Sequence, residues 1–218
     1  MSRPTKALIS LKALKHNVKI TKSISPQSKI IAVIKANAYG HGITQIGQAL
    51  DTEVDALAVA CIEEALALRS AGVTLPILLL EYAFDANEIS IAAEQNFWLM
   101  LTRTETIETL LAIDVKKQVG VWIKIDTGMH RLGLAPEMFN DAYQRLSTCN
   151  HIQNEIVVAT HFACSDELNN EMTPEQLGHF RDITAETITP NNISNRISCS
   201  LANSAAILAW PETHANWN

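Results

Sequence analysis

The chain has 218 residues, of which 47% are hydrophobic and 18% charged, a composition that fits one globular domain with its own apolar core. Its formal net charge of −6 leaves no basic field for phosphates, so nucleic acid is excluded as an expected partner. The four cysteines are far apart and form no CxxC pair, which predicts no metal site. The N-terminus has no apolar leader and the apolar runs are only as long as strands, so we expect a cytoplasmic protein with no membrane span.

Short aliphatic runs alternate with longer segments of helical periodicity along the whole chain. In chain order the predicted elements are helix Leu8–Ser23, strand Ile30–Ile34, helix Gly42–Leu50, strand Ala56–Ala60, helix Ile62–Ala71, strand Ile77–Leu80, helix Ala86–Asn96, strand Trp98–Leu101, helix Thr104–Lys116, strand Val119–Ile125, helix Glu137–Thr148, strand Ile156–Thr160, helix Thr173–Thr187, strand Arg196–Ser198 and helix Ser204–Ala209.

This alternation predicts an α/β fold of one particular kind. Continuous apolar strands separated by helices favour a parallel sheet that is covered on both faces. No Gly-rich dinucleotide turn is present, so a (β/α)8 TIM-type barrel is favoured over a doubly wound sheet. Seven strands are predicted before Trp217 and Asn218. We therefore expect a barrel that is incomplete before its eighth strand and has two unpaired sheet edges.

Catalytic groups of such barrels lie at the C-terminal ends of the strands. Lys35 follows the first strand in the segment AVIKANAYGHG (residues 32–42). An amine that is shielded from water there can form a Schiff base, whereas the alternative is a lysine that merely reaches solvent from a strand end. Tyr39 offers a hydroxyl to an anion, with an ordinary packed aromatic ring as the alternative.

Polar groups also follow the later strands. Arg131, after the fifth strand, suits bidentate binding of a carboxylate or phenolate, unless it only ties the loop to Asp126. His161 follows the sixth strand and is either a site residue or a hydrogen-bonded core histidine. Asn203 and Ser204 precede an Ala-rich helix whose N-terminus favours phosphate, although both residues also serve as ordinary N-caps. Together these groups form the set that a pyridoxal phosphate enzyme needs at one barrel mouth.

Several segments resemble one family in the same order along the chain. AVIKANAYGHG is similar to the cofactor-lysine signature of the alanine racemases, and DTGMHRLGL, THFACSDE and SLANSAAIL match further blocks of that family. The tail WPETHANW resembles the stretch just before the family's last barrel strand. The resemblance implies a fold type III barrel that binds pyridoxal 5'-phosphate and interconverts L-alanine and D-alanine, supplying D-alanine for peptidoglycan, in a homodimer.

The resemblance also implies roles for particular residues. Lys35 would hold the cofactor through a Schiff base and act as the acid/base on the D-alanine face of Cα. Arg131 would lie near the cofactor's phenolic oxygen and the substrate carboxylate. The remaining cofactor contacts, mainly to its phosphate and pyridine ring, would come from Tyr39, His161, Asn203 and Ser204.

The sequence departs from the family at its C-terminal end. The family continues with an Arg-Pro-Gly block in the last strand and with a C-terminal β domain, which supplies the second catalytic base, a tyrosine, across a head-to-tail dimer. Residues 1–218 are therefore interpreted as the N-terminal barrel domain without that β domain. Tyr39, Tyr82 and Tyr143 do not match the tyrosine's motif. The resemblance accordingly implies little racemase activity for these residues alone.

Three other interpretations remain open at this point. The first is a non-catalytic, single-domain protein that binds pyridoxal phosphate for its homeostasis, which matches the length better but the motifs less well. The second is a pseudoenzyme that folds poorly and has no activity. The third is a decarboxylase of the same fold type, against which the MHRLG and NSAA segments favour the racemase.

Overall fold

The computed structural model describes residues 6–81, 83, 85–187 and 197–218. In chain order the elements are α1 (Leu11–Ile24), β1 (Ile31–Val33), α2 (Lys35–Tyr39), α3 (Ile43–Leu50), β2 (Ala56–Val59), α4 (Ile62–Ser70), β3 (Ile77–Leu79), α5 (Ala86–Gln95), β4 (Phe97–Leu101), α6 (Thr104–Ala112), β5 (Val119–Lys124), α7 (Pro136–Ser147), β6 (Ile152–Ala159), α8 (Met172–Thr187), β7 (Ser198–Ser200), α9 (Ser204–Ala209) and a 3-10 turn (Pro211–Thr213).

Each predicted strand and helix has a counterpart, with shifts at some boundaries. The first helix begins at Leu11 instead of Leu8 because the side chain of Ser10 caps it, accepting a hydrogen bond from the backbone N–H of Ala13. The sixth helix ends early because Ile113 adopts an extended conformation. The seventh strand occupies Ser198–Ser200 and so lies two residues later than predicted; the predicted first residue, Arg196, lies outside the described residues.

The seven strands form one parallel sheet in sequential order, from β1 to β7. The C-terminal residues lie between the two edge strands of this sheet, β1 and β7. Trp217 is bridged to both Lys29 and Ser200, and the backbone N–H of Ile31 donates to the carbonyl oxygen of Asn218 at 2.8 Å. The expectation of two unpaired edges is therefore wrong over this stretch, because residues 216–218 bond to residues 29–31 at the β1 edge and to residues 199–200 at the β7 edge.

Side chains alternate between two apolar layers, as successive residues of a strand must. The larger layer lies between the sheet and the helices. The smaller layer fills the barrel, where alanines on β2 face large residues from other strands. Trp98, Trp122 and Trp217 pack together there with ring centroids 5.4–6.1 Å apart. Gly120 makes room for them, since a Cβ atom there would lie 2.2 Å from the Trp98 ring.

Candidate functional site

Ionisable side chains gather where the strands end. Trp122 points into the barrel, so Lys124, two residues further along β5, faces the barrel mouth. His161 follows the inward-facing Ala159 by the same two residues, and Lys35 comes two residues after β1. The C-terminal ends of parallel strands meet at one end of a barrel, which brings these three side chains together with Arg131.

The charges of these groups shift one another's pKa values. Burial, together with the positive charges of Arg131 and Lys35, lowers the pKa of Lys124 from 10.5 to about 8, against an opposing effect of Asp126. Burial and the charges of Lys124, Arg131 and Lys35 lower the pKa of His161 from 6.5 to about 4. The imidazole is therefore neutral at pH 7. The mouth is a concentration of positive charge in a chain of net charge −6 and suits an anionic ligand.

The segment after Lys35 has an unusual backbone. Residues 36–39 have φ values of +52° to +56°, a left-handed helical turn that costs roughly 1–2 kcal/mol for each residue other than glycine. The carboxylate of Glu64 accepts hydrogen bonds from the N–H of Asn37 (3.3 Å) and of Ala60 (2.9 Å), and the side chain of Asn37 accepts from the N–H of Ile43. Such strain persists only where surrounding contacts impose it, as they do beside Lys35.

The loop that carries Arg131 is closed by the backbone. Asp126 N–H donates to the Leu134 carbonyl at 2.9 Å, and Leu134 N–H donates to the Lys124 carbonyl at 2.8 Å. At Gly133, which has a φ of +142°, a Cβ atom would lie 2.6 Å from the Asp126 nitrogen, so the tight closure requires glycine. The Asp126 carboxylate pairs with His130 at 3.2 Å, rather than with Arg131 as the alternative interpretation had it.

The predicted phosphate-binding residues lie in different surroundings. Asn203 Oδ1 caps α9 by accepting from the N–H of Ala206 (3.0 Å), and it also accepts from the hydroxyl of Ser165 (2.7 Å). The N-cap interpretation of Asn203 is therefore confirmed, and its cofactor contact stays a prediction. Ser204 is exposed, and Tyr39 is 60% exposed. Both of these hydroxyls remain accessible to a ligand.

Comparison with known proteins identifies the family. Residues 9–218 match the family model described as alanine racemase, N-terminal domain. The chain belongs to this family. It is 42% identical to the alanine racemase of Pseudomonas entomophila and to the catabolic alanine racemase of Pseudomonas putida, over 99% of its own length and 57% of theirs. The chain thus spans little more than half the length of these alanine racemases.

Solved alanine racemases also share the fold. The biosynthetic enzyme of Pseudomonas aeruginosa superposes with a TM-score of 0.86 at 38% identity, covering 95% of this chain and 55% of that one. The alanine racemase of Clostridium difficile 630 gives 0.88 at 32% identity, covering all of this chain and 57% of that one. These similarities confirm the TIM-type barrel of the alanine racemase N-terminal domain.

Two polar residues near this mouth were not among the predicted site residues. Lys124 was assigned to a strand. The alternation of inward-facing and outward-facing side chains along β5 is the signal that would have placed it at the barrel mouth. Gln176 lies in the middle of α8, and the sequence contains no pattern that reveals its contacts. Within the described ranges, no three His, Cys, Asp or Glu side chains come together as metal ligands, and none of the helices there is long and apolar enough to cross a membrane.

The pH dependence of stability tests the buried state of His161. Its folded pKa of about 4 lies below the ordinary 6.5, so between these values the unfolded chain binds more protons and stability falls as the pH falls. We expect the free energy of unfolding of the wild type to decrease relative to that of His161→Gln between pH 6.5 and pH 4, as measured by urea unfolding. A difference between the two proteins that does not change with pH would contradict this expectation.

Proposed function

We propose that this chain is the pyridoxal-phosphate-binding barrel of an alanine racemase that interconverts L-alanine and D-alanine, with Lys35 as the Schiff-base lysine. The observation that carries the proposal is the convergence of Lys35, Lys124 and Arg131 with a neutral His161 at one barrel mouth. These groups suit a ligand with a phosphate and a substrate with a carboxylate. Lys35, Arg131 and His161 lie in the segments that resemble the alanine racemase motifs.

Each residue has a defined part in this proposal. Pyridoxal phosphate, when bound, supplies an electron-withdrawing ring that acidifies the Cα–H bond of the amino acid. The Lys35 amine would hold the cofactor and would move a proton at Cα on the D-alanine face. Arg131 attracts the substrate carboxylate and the phenolic oxygen. His161, being neutral, would lie beside the ring, and Tyr39, Asn203 and Ser204 would contact the cofactor, mainly at its phosphate.

Inversion of Cα requires a second proton-transfer group on the opposite face. A single flexible lysine would mainly return the proton to the side from which it came. We propose that this group belongs to a C-terminal β domain of a homodimer, since the alanine racemases of Pseudomonas entomophila and Pseudomonas putida are longer than this chain. We further propose that the enzyme works in the cytoplasm and supplies D-alanine for peptidoglycan.

Racemisation of L-alanine with added pyridoxal phosphate tests this function. The 218 residues alone are compared with a fusion to the C-terminal portion of the Pseudomonas entomophila alanine racemase. We expect the chain alone to be at least about 100-fold slower, because one general acid/base contributes about 10²–10⁴ in rate. Lys35→Ala in the fusion is the inactive control. Equal rates for the two proteins would contradict the need for a second group, and cofactor binding without racemisation by the fusion would favour a non-catalytic binding protein.

A further inference from the structure

A buried amide joins two of the loops at the barrel mouth. Gln176, on α8, is 1% exposed, and its side-chain amide makes three hydrogen bonds. Its Nε2 group donates to the hydroxyl of Thr127 at 3.2 Å and to the carbonyl of His161 at 3.0 Å, while Oε1 accepts from the N–H of Ala163 at 2.9 Å. One side chain thus connects the loop after β5 with the segment after β6.

The hydrogen bonds continue in one direction from Gln176 into the sheet. Thr160 donates its only hydroxyl hydrogen to the carbonyl of Ile125 at 3.1 Å. In the 2.7 Å contact between the hydroxyls of Thr127 and Thr160, Thr127 must therefore be the donor. Its oxygen is then left to accept from Gln176. Each side-chain amide or hydroxyl hydrogen of Gln176, Thr127 and Thr160 therefore has a partner, and such fully satisfied buried networks favour one arrangement over others.

The network reaches both of the site loops. Thr127 lies in the closed loop that carries Arg131, and His179, about one turn further along α8, lies with Nδ1 3.2 Å from the Thr127 carbonyl. His161 is bound directly through its backbone. We propose that Gln176 is a positioning residue of the barrel mouth, which holds Arg131 and His161 in the arrangement that binds the anionic ligand. The ligand part of this proposal rests on the proposed function.

The test compares Gln176→Met, which keeps the shape but removes the amide, with a matched variant on the same helix. Thr184→Val also removes a buried hydrogen bond on α8, from the Thr184 hydroxyl to the Phe180 carbonyl at 2.8 Å, and this bond lies within the helix instead of reaching a loop. One readout is trypsin cleavage after Arg131 under native conditions, which needs no cofactor. The other is the dissociation constant for pyridoxal phosphate, measured on the full chain.

We expect Gln176→Met to increase the rate of cleavage after Arg131 by about tenfold or more. We expect the same variant to increase the dissociation constant for pyridoxal phosphate by about tenfold or more, which corresponds to about 1.4 kcal/mol. Thr184→Val should change neither the cleavage rate nor the dissociation constant by more than about twofold, which is well below the tenfold change that corresponds to about 1.4 kcal/mol. Thr127→Val should behave like Gln176→Met, and Thr127→Ser should restore the wild-type behaviour. This second pair answers the question if Gln176→Met does not fold.

Equal cleavage of the Gln176→Met and Thr184→Val proteins, compared at equal free energy of unfolding, would overturn the proposal. If the wild type binds no pyridoxal phosphate, the proposed function fails, yet the cleavage rates still decide whether Gln176 holds the loop. The two failures are therefore distinguishable.

Discussion

Trp217→Ala is expected to lower the free energy of unfolding by about 3–5 kcal/mol, the usual cost of truncating a buried tryptophan. The ring is 4% exposed and packs against Trp98 and Trp122 inside the barrel. Its backbone also bridges Lys29, just before β1, and Ser200 of β7, so a cavity at this position loosens the contact between the two edges of the sheet. Urea unfolding followed by circular dichroism measures the change.

Two further variants separate the contribution of the Trp217 ring to stability from that of the neighbouring Lys29 ammonium group. Trp217→Phe keeps part of the aromatic contact and should lose less stability than Trp217→Ala. Lys29→Ala removes the ammonium group that lies 4.8 Å from the centroid of the Trp217 ring, and it should cost no more than about 1 kcal/mol. A loss below about 1 kcal/mol for Trp217→Ala would contradict the account in which residues 216–218 join the two edges of the sheet.

Lys35→Ala is expected to abolish the imine absorption band that appears when pyridoxal phosphate is added to the purified wild-type chain. The alanine variant lacks the amine that forms the bond, and only the non-covalent contacts of the positive mouth remain. We expect the dissociation constant to increase by at least about 100-fold, or about 2.7 kcal/mol. Absorbance titration measures both effects.

The controls for this variant are two other lysines. Lys12→Ala removes an exposed lysine on α1 and should leave the imine band unchanged. Lys124→Ala should retain the band but weaken binding, because it removes a positive charge from the mouth and not the bond-forming amine. An undiminished band in folded Lys35→Ala protein would show that a different amine carries the cofactor.

The barrel could be predicted from the sequence because its buried strands are continuous apolar runs. The same reasoning placed the start of β6 too late, since residues 153–155 are polar and partly or fully exposed, and no apolar pattern marks them as strand. The left-handed turn at residues 36–39 was not predicted either. It opposes the intrinsic preference of two alanines, and contacts from Glu64 on α4 support it.

The site was predictable to the extent that it follows strand ends. Lys35 and His161 each come two residues after an apolar strand, and the parallel sheet then brings their loops to one end. Lys124 was missed because a strand residue at the mouth looks like the rest of its strand in sequence. Gln176 was missed because its hydrogen-bond partners include the Thr127 hydroxyl and the His161 carbonyl. Only the tertiary structure brings these groups close to α8.

The central claim is that Lys35 carries the cofactor at the barrel mouth, and the most direct test locates the bond. Wild-type protein is incubated with pyridoxal phosphate, reduced with borohydride, digested and analysed by peptide mass spectrometry. Lys124 is the informative competitor, since its pKa of about 8 leaves part of its amine neutral near pH 7. The account predicts a reduced adduct on Lys35. An adduct on Lys124 or on surface lysines, with Lys35 unmodified in folded protein, would contradict it.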